Sequence, residues 1–202
     1  PPQGYRLSIT PDGIAVTGAD TAGLRNGLAT LRQLARRMED GTLYWPCVEI
    51  SDAPVVPVRG AHFMLNQYPW SEENAAAARR FIDVLADLKY NLLVLQLDGL
   101  PAYRNDAFTG TEHWPMDQLA ALGDYAKHRG FEVVPALQLG GHSVWLTGRP
   151  EFESYREKAP EQRGDPPSWD DTLCPSQEES TRLICSFIDE LVDVFQPRRF
   201  LL

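Results

Sequence analysis

Apolar and polar residues alternate over Tyr5–Ile9 and again over Ile14–Thr17, with Pro11-Asp12-Gly13 between the two runs. A period of two on either side of a turn tripeptide predicts a β-hairpin. The period then lengthens. Leu24, Leu28, Leu31, Leu34 and Met38 fall on one face of a helix predicted over Thr21–Arg37. Gly23 and Gly27 lie four apart in it, a costly choice in a helix unless a backbone packs closely there. Pro46–Ile50 reads as one more strand, and Asp52-Ala53-Pro54 with Pro57 as a rigid link, which places a domain boundary at about residue 55.

Past that link, strand and helix patterns alternate. Val58–Leu65 is predicted as a strand. Ser71, followed by Glu72 and Glu73, opens a helix reaching about Leu88, with Ala78, Phe81, Ile82, Leu85 and Leu88 inward. Asn91–Leu97 is almost wholly apolar, as a strand covered on both faces should be. Pro115 starts a helix that reaches His128 and stops at Gly130. Phe131–Leu137 is the third strand of this series, and a long loop over about 139–175 follows, a length usual for functional segments. Ser176 and Glu179 suggest a capping box for a helix running to Phe195, with Leu183, Ile184, Phe187, Ile188, Leu191 and Val194 buried. A fourth strand is expected from about Arg199, and its first residues end the sequence.

Charge and cysteine content narrow the function. The net charge is −9, and it is uneven: residues 1–57 carry 5 basic and 6 acidic side chains, the remainder 14 and 22. An acidic chain is poorly matched to nucleic acid, which excludes that partner class. No apolar run reaches the roughly 18 residues of a membrane helix, so no membrane partner is expected. The opening Pro1-Pro2-Gln3-Gly4 has no signal-peptide pattern. Cys47, Cys174 and Cys185 form neither a disulfide framework nor a zinc pattern and are expected to be small buried hydrophobes. His62, His113 and His128 lack metal-ligand spacing, so no metal or other cofactor is expected.

The βαβαβα-β order predicts parallel strands joined by right-handed crossovers. An open doubly wound sheet and an eight-stranded barrel both fit. No Gly-x-Gly-x-x-Gly follows the first strand, which weakens a dinucleotide-binding reading. Polar and aromatic residues gather instead just after the strands: Asn66, Gln67, Tyr68 and Trp70; Asp98 and Tyr103; Gln138, His142 and Trp145. Barrels build their sites on that rim.

Five segments together resemble family 20 glycoside hydrolases, the β-N-acetylhexosaminidase group. They are Gly4-Tyr5-Arg6-Leu7 with the Gly23-x-x-x-Gly27-x-x-Thr30-Leu31-x-Gln33-Leu34 helix; Ile50-x-Asp52-x-Pro54 leading to Arg59-Gly60; Lys89-x-Asn91; Pro135 through Gly141-His142; and Leu173-x-Pro175. The resemblance implies an α/β chain with two parts. Residues 1–55 would be the C-terminal part of a small α+β accessory domain. Residues 56–202 would be about strands 1–4 of an incomplete (β/α)8 TIM barrel. The chain also departs from the family. Val94, Gln96 and Asp98-Gly99-Leu100 stand where two His and an Asp-rich loop are usual; Ala136 and Gln138 replace Glu and Asp; Asn66 takes the place of an Asp.

The resemblance further implies hydrolysis of terminal β-linked N-acetylhexosamine, with the substrate's own acetamido group attacking the anomeric carbon, a route outside the usual two-carboxylate scheme. An Asp would steady that group and a Glu would protonate the leaving oxygen. This pair is expected just beyond Leu202, so no catalytic residue is assigned within the chain. The chain alone is expected to bind sugar but turn it over very slowly, since general acid catalysis supplies roughly 10²–10⁴-fold.

Substrate binding is expected of Arg59, Asp98, Gln138, His142 and Trp145. Arg59 would give paired hydrogen bonds to outer ring hydroxyls, or else pair structurally with a carboxylate. Trp145 and Trp70 offer apolar faces for a pyranose, or core packing. The partner expected is an N-acetylhexosamine-containing glycan. A non-catalytic sugar-binding relative and an unrelated sugar-active barrel enzyme are the alternatives. Two open parallel edges also predict self-association into a homo-oligomer.

Overall fold

A computed structural model describes residues 1–139, 141–157 and 172–202. Part of the loop expected over 139–175 therefore lies outside the described residues. The turn at residues 11–12 pairs β1 (Tyr5–Thr10) with β2 (Gly13–Gly18), Leu7 opposite Val16. On its other side β1 pairs antiparallel with β5 (Val48–Asp52), Leu7 opposite Ile50. Tyr5, Leu7 and Ile9 alternate inward and form the small core of this sheet with Val16, Leu31, Leu34, Trp45, Val48 and Ile50.

Helix α1 (Thr21–Leu34) lies across that core, capped by Asp20, whose side chain accepts from the Gly23 N–H. It is shorter than its apolar stripe suggests, and only the Leu31 and Leu34 end of the stripe packs on the core. Arg36–Arg37 (β3) instead pairs with Leu43–Tyr44 (β4), so the backbone leaves the helix at Ala35. Leu24, Leu28 and Met38 are exposed, while Gly23, Asn26, Gly27 and Ala29 are buried. Shape decides this orientation. A Cβ on Gly27 would sit 2.6 Å from Val16 Cγ1, so only a face of small residues lets the helix approach the hairpin this closely.

The second unit is a parallel arc, β6 (Gly60–Met64), β7 (Leu92–Gln96) and β8 (Glu132–Ala136), in the order β6-β7-β8 and in register from Gly60↔Leu92↔Glu132 to Met64↔Gln96↔Ala136. The expected fourth strand is present as one parallel bridge, Ala136↔Leu201. It is held by Leu201 N–H to Pro135 O and Leu137 N–H to Leu201 O, both at 3.0 Å. Helices α2 (Glu72–Asp87), α3 (Met116–His128) and α5 (Glu178–Phe195) share one core with the outward residues Phe63, Leu93, Leu95 and Val133. The alternate residues Gly60, His62 and Met64 stay exposed on the opposite face. Helices on one face and an open concave face on the other make this a partial barrel, with an antiparallel accessory sheet beside it.

Ser71 caps α2, its Oγ accepting from the Asn74 N–H at 3.0 Å. Ala75, Ala78, Ile82 and Leu85 are buried, but Phe81 and Leu88, expected inward, are exposed. Phe81 rests on the flank, its ring 4.7 Å from Phe63. The capping box expected at Ser176 does not form. A turn at Pro175-Ser176 delays the helix start, Gln177 becomes the N-cap, and Ser180 Oγ donates to Cys174 O at 2.6 Å. Glu178 and Glu179 still complement the helix N-terminus. The cysteines are more open than expected. Cys47 enters the edge strand β5 and Cys185 lies on the solvent side of α5, both exposed, and Cys174 is half-buried.

Polar contacts join the two units at the N-terminal ends of the parallel strands. Arg59, just before β6, donates from Nε to Lys89 O (2.6 Å), from Nη1 to Val56 O and Pro57 O (2.8 and 3.2 Å), and from Nη2 to Gln3 Oε1 (2.9 Å). Arg32 pairs with Asp87, and Lys89 Nζ lies 3.6 Å from Asp52.

Candidate functional site

The C-terminal ends of β7 and β8 converge on Asp98. Its carboxylate is buried and meets three donors: Gln96 Nε2 and Asn66 Nδ2, each 2.7 Å from Oδ2, and the Gln138 backbone N–H, 2.8 Å from Oδ1. The Asp98 backbone is left-handed, with φ of 45°, and Tyr103 Oη donates to its carbonyl at 3.0 Å. An aspartate tolerates this conformation better than a branched residue would. Tyr103 is itself buried against Phe187 of α5, with ring centroids 4.4 Å apart. Glu190 of α5 accepts from the Arg104 N–H at 3.0 Å. Helix α5 thus fixes the loop that presents Asp98.

Burial pushes the Asp98 carboxyl above the ordinary aspartate range, opposed by its three hydrogen bonds and by nearby His62. The sign of the pH effect follows. Between the ordinary and the raised value, the folded chain holds a proton that the unfolded chain releases, so this group makes stability fall as pH rises through that window. Asp98→Asn is expected to lack that decline. Denaturant titrations of both proteins between about pH 4 and pH 7 check it, and parallel profiles would refute it.

Four of the five expected binding residues come together here. Trp145, on the short helix α4 (Val144–Thr147), donates from Nε1 to Gln138 O at 2.9 Å, which links it through Gln138 to Asp98. Its ring packs near Phe108 and Phe187, at 6.1 and 5.9 Å, and also lines a cavity of about 300 Å³ with Asn66, Asp98, His113 and Arg149. His142 is exposed and left-handed (φ 56°) and lines a neighbouring cavity of about 290 Å³ with His62, Gln96 and Gln138. Trp70 stacks edge-on against Trp114 at 5.1 Å.

Arg59 does not join them. It precedes β6, whereas the others follow β7 and β8, so it stands at the opposite end of the arc with its guanidinium committed to the contacts described above. Two wider clefts, of about 530 and 540 Å³, lie beside the accessory sheet and around Asn91, Gly130 and Glu132, at that same far end. Gln96 is the residue sequence reasoning passed over. The readable signal was its phase: it continues the concave-face set of Leu92 and Val94 and sits two residues before Asp98. Among the described residues no cluster of His, Cys, Asp and Glu is arranged to hold a metal, and no helix is long and apolar enough to cross a membrane.

The family profile described as glycosyl hydrolase family 20, catalytic domain, matches residues 73–201, and that described as domain 2 of the same family matches residues 1–53. The chain belongs to glycosyl hydrolase family 20. Relatives of this family include a β-hexosaminidase of Akkermansia muciniphila, 29% identical over 95% of the chain and 42% of the relative. A lacto-N-biosidase of Bifidobacterium bifidum is 27% identical over 97% of the chain and 17% of the relative. The chain therefore spans less than half the length of either. A chitobiase structure from Flavobacterium johnsoniae superposes with a TM-score of 0.77 at 21% identity, over 98% of the chain and 31% of that protein; at this identity the likeness concerns the fold. The Asp98 cluster lies at the C-terminal ends of the parallel strands, the rim on which barrels form their sites.

Proposed function

We propose that this chain supplies sugar-holding groups to a glycoside hydrolase of β-N-acetylhexosaminidase type, which cleaves terminal β-linked N-acetylhexosamine with help from the substrate's acetamido group. The match of the family's catalytic domain over residues 73–201 carries this reading. The rim geometry supports it: Asp98 is held in one position by three donors, and Gln138, His142 and Trp145 lie beside it around two cavities the size of a small sugar. Asp98 fits a contact to ring hydroxyls, His142 a contact to the reacting side of the sugar, and Trp145 an apolar edge. We place the boundary between accessory unit and barrel at about residue 55, where Pro54 and Pro57 stiffen the connection.

Calorimetric titration of the protein that carries this chain tests the reading. N-acetylglucosamine is expected to bind at least about tenfold more tightly than glucose, since a site built for a polar group rejects the analogue lacking it. Equal affinities would refute it. One observation favours a second reading, a sugar-binding relative without turnover: Val94 and Gln96 on β7, and Ala136 and Gln138 at the end of β8, stand where the family resemblance expects His, Glu and Asp side chains. Turnover of an aryl N-acetyl-β-glucosaminide supports the hydrolase; binding without turnover supports the binder.

A further inference from the structure

A carboxylate only accepts hydrogen bonds, so any amide that touches it must turn its nitrogen inward. Gln96 and Asn66 both do so, each giving its N–H₂ to Asp98 Oδ2 at 2.7 Å. Their orientation is thereby fixed by the charge at Asp98, and their carbonyl oxygens point away from it. Both oxygens, Gln96 Oε1 and Asn66 Oδ1, are buried and have no hydrogen-bond partner among the described residues. Buried polar atoms are nearly always paired, so two orphans of one kind on a single carboxylate call for an explanation. Gln96 is only 2% exposed, yet it forms part of the wall of the 290 Å³ cavity, together with His62, Gln138 and His142. Asn66 lines the adjoining cavity with Asp98 and Trp145.

We infer that the Gln96 and Asn66 carbonyls are specificity-determining acceptors that take hydrogen bonds from hydroxyl groups of a neutral sugar. This deepens the reading proposed above and rests on it. The chemistry is selective. The patch offers two amide oxygens beside a carboxylate, so it pairs with O–H donors and repels a phosphate, sulfate or carboxylate group placed there. It also discriminates between hydroxyl patterns, because a sugar lacking the matching hydroxyl leaves a buried acceptor unpaired and loses affinity steeply.

The test uses the protein that carries this chain, N-acetylglucosamine, and its 3-, 4- and 6-deoxy analogues, with dissociation constants from calorimetry. In the unaltered protein one deoxy sugar is expected to bind at least about tenfold more weakly than the parent. In Gln96→Met, which keeps the side-chain length and removes the acceptor, that penalty is expected to shrink to within about twofold. A penalty retained in full in Gln96→Met overturns the inference while leaving the functional reading intact. Failure of the unaltered protein to bind N-acetylglucosamine overturns both. Should Gln96→Met not fold, the side-chain amide signals of Gln96 in the ¹⁵N–¹H spectrum of the unaltered protein report the same contact. They are expected to move with N-acetylglucosamine and not with the weak deoxy analogue; equal movement with both overturns the inference.

Discussion

Trp114→Ala is expected to cost about 4 kcal/mol of folding stability, the middle of the range for removing a buried aromatic side chain. Trp114 has no exposed surface and belongs to the barrel core with Leu100, Phe108 and Leu119. Its indole Nε1 donates to Tyr68 O at 2.8 Å, and its ring takes the edge of Trp70. The alanine variant loses the packing and strands the Tyr68 carbonyl. The backbone at this residue also holds the loop after β7, through Trp114 N–H to Leu100 O and Ala102 N–H to Trp114 O, each 2.9 Å. Loosening it therefore reaches the segment that presents Asp98. Urea unfolding measures the effect as a lower midpoint with an unchanged slope. A loss below about 1.5 kcal/mol would mean that the site collapses around the deletion and that Trp114 is not a keystone of the loop.

Gly23→Ala is expected to destabilise the chain by about 3 kcal/mol, although alanine normally improves a helix interior by about 1 kcal/mol over glycine. The added methyl has nowhere to go: it would overlap the Gly4 carbonyl oxygen and press on the carbonyl carbons of Gln3 and Gly4. Those are backbone atoms and cannot swing aside as a flexible side chain would. The control is Gly141→Ala, where a Cβ meets nothing within 4 Å among the described residues. It is expected to stay within about 0.5 kcal/mol of the parent. A Gly23→Ala protein as stable as the control would show that α1 can lift from the hairpin without penalty.

The strands and helices of the partial barrel were legible because a parallel strand with one face under helices and the other toward the barrel interior carries a near-continuous apolar run such as Asn91–Leu97, and because Ser71, Pro115 and Gly130 mark boundaries. Helix α1 was harder. An apolar stripe reports which residues prefer to leave water, not which face fits a neighbour, and the fit of Gly23 and Gly27 against the hairpin won. The rim was legible as a group of positions, since residues just after β7 and β8 must sit at one end of the sheet. Arg59 was legible as the residue that opens the first barrel strand, but not the carbonyls of Lys89, Val56 and Pro57 and the Gln3 side chain that take up its guanidinium. The role of Gln96 was hidden because the sequence gives its phase but not the carboxylate that turns its amide.

Arg59, Lys89 and Asp87 tie the accessory sheet to one end of the arc, while Asp98 and its neighbours occupy the other. Anchorage and the proposed recognition site are thus kept a strand's length apart. Substitutions on the solvent side of the hairpin or of α1 leave the rim pocket undisturbed, and rim residues can vary without unseating the support. Such a division leaves each end of the molecule free to evolve on its own schedule.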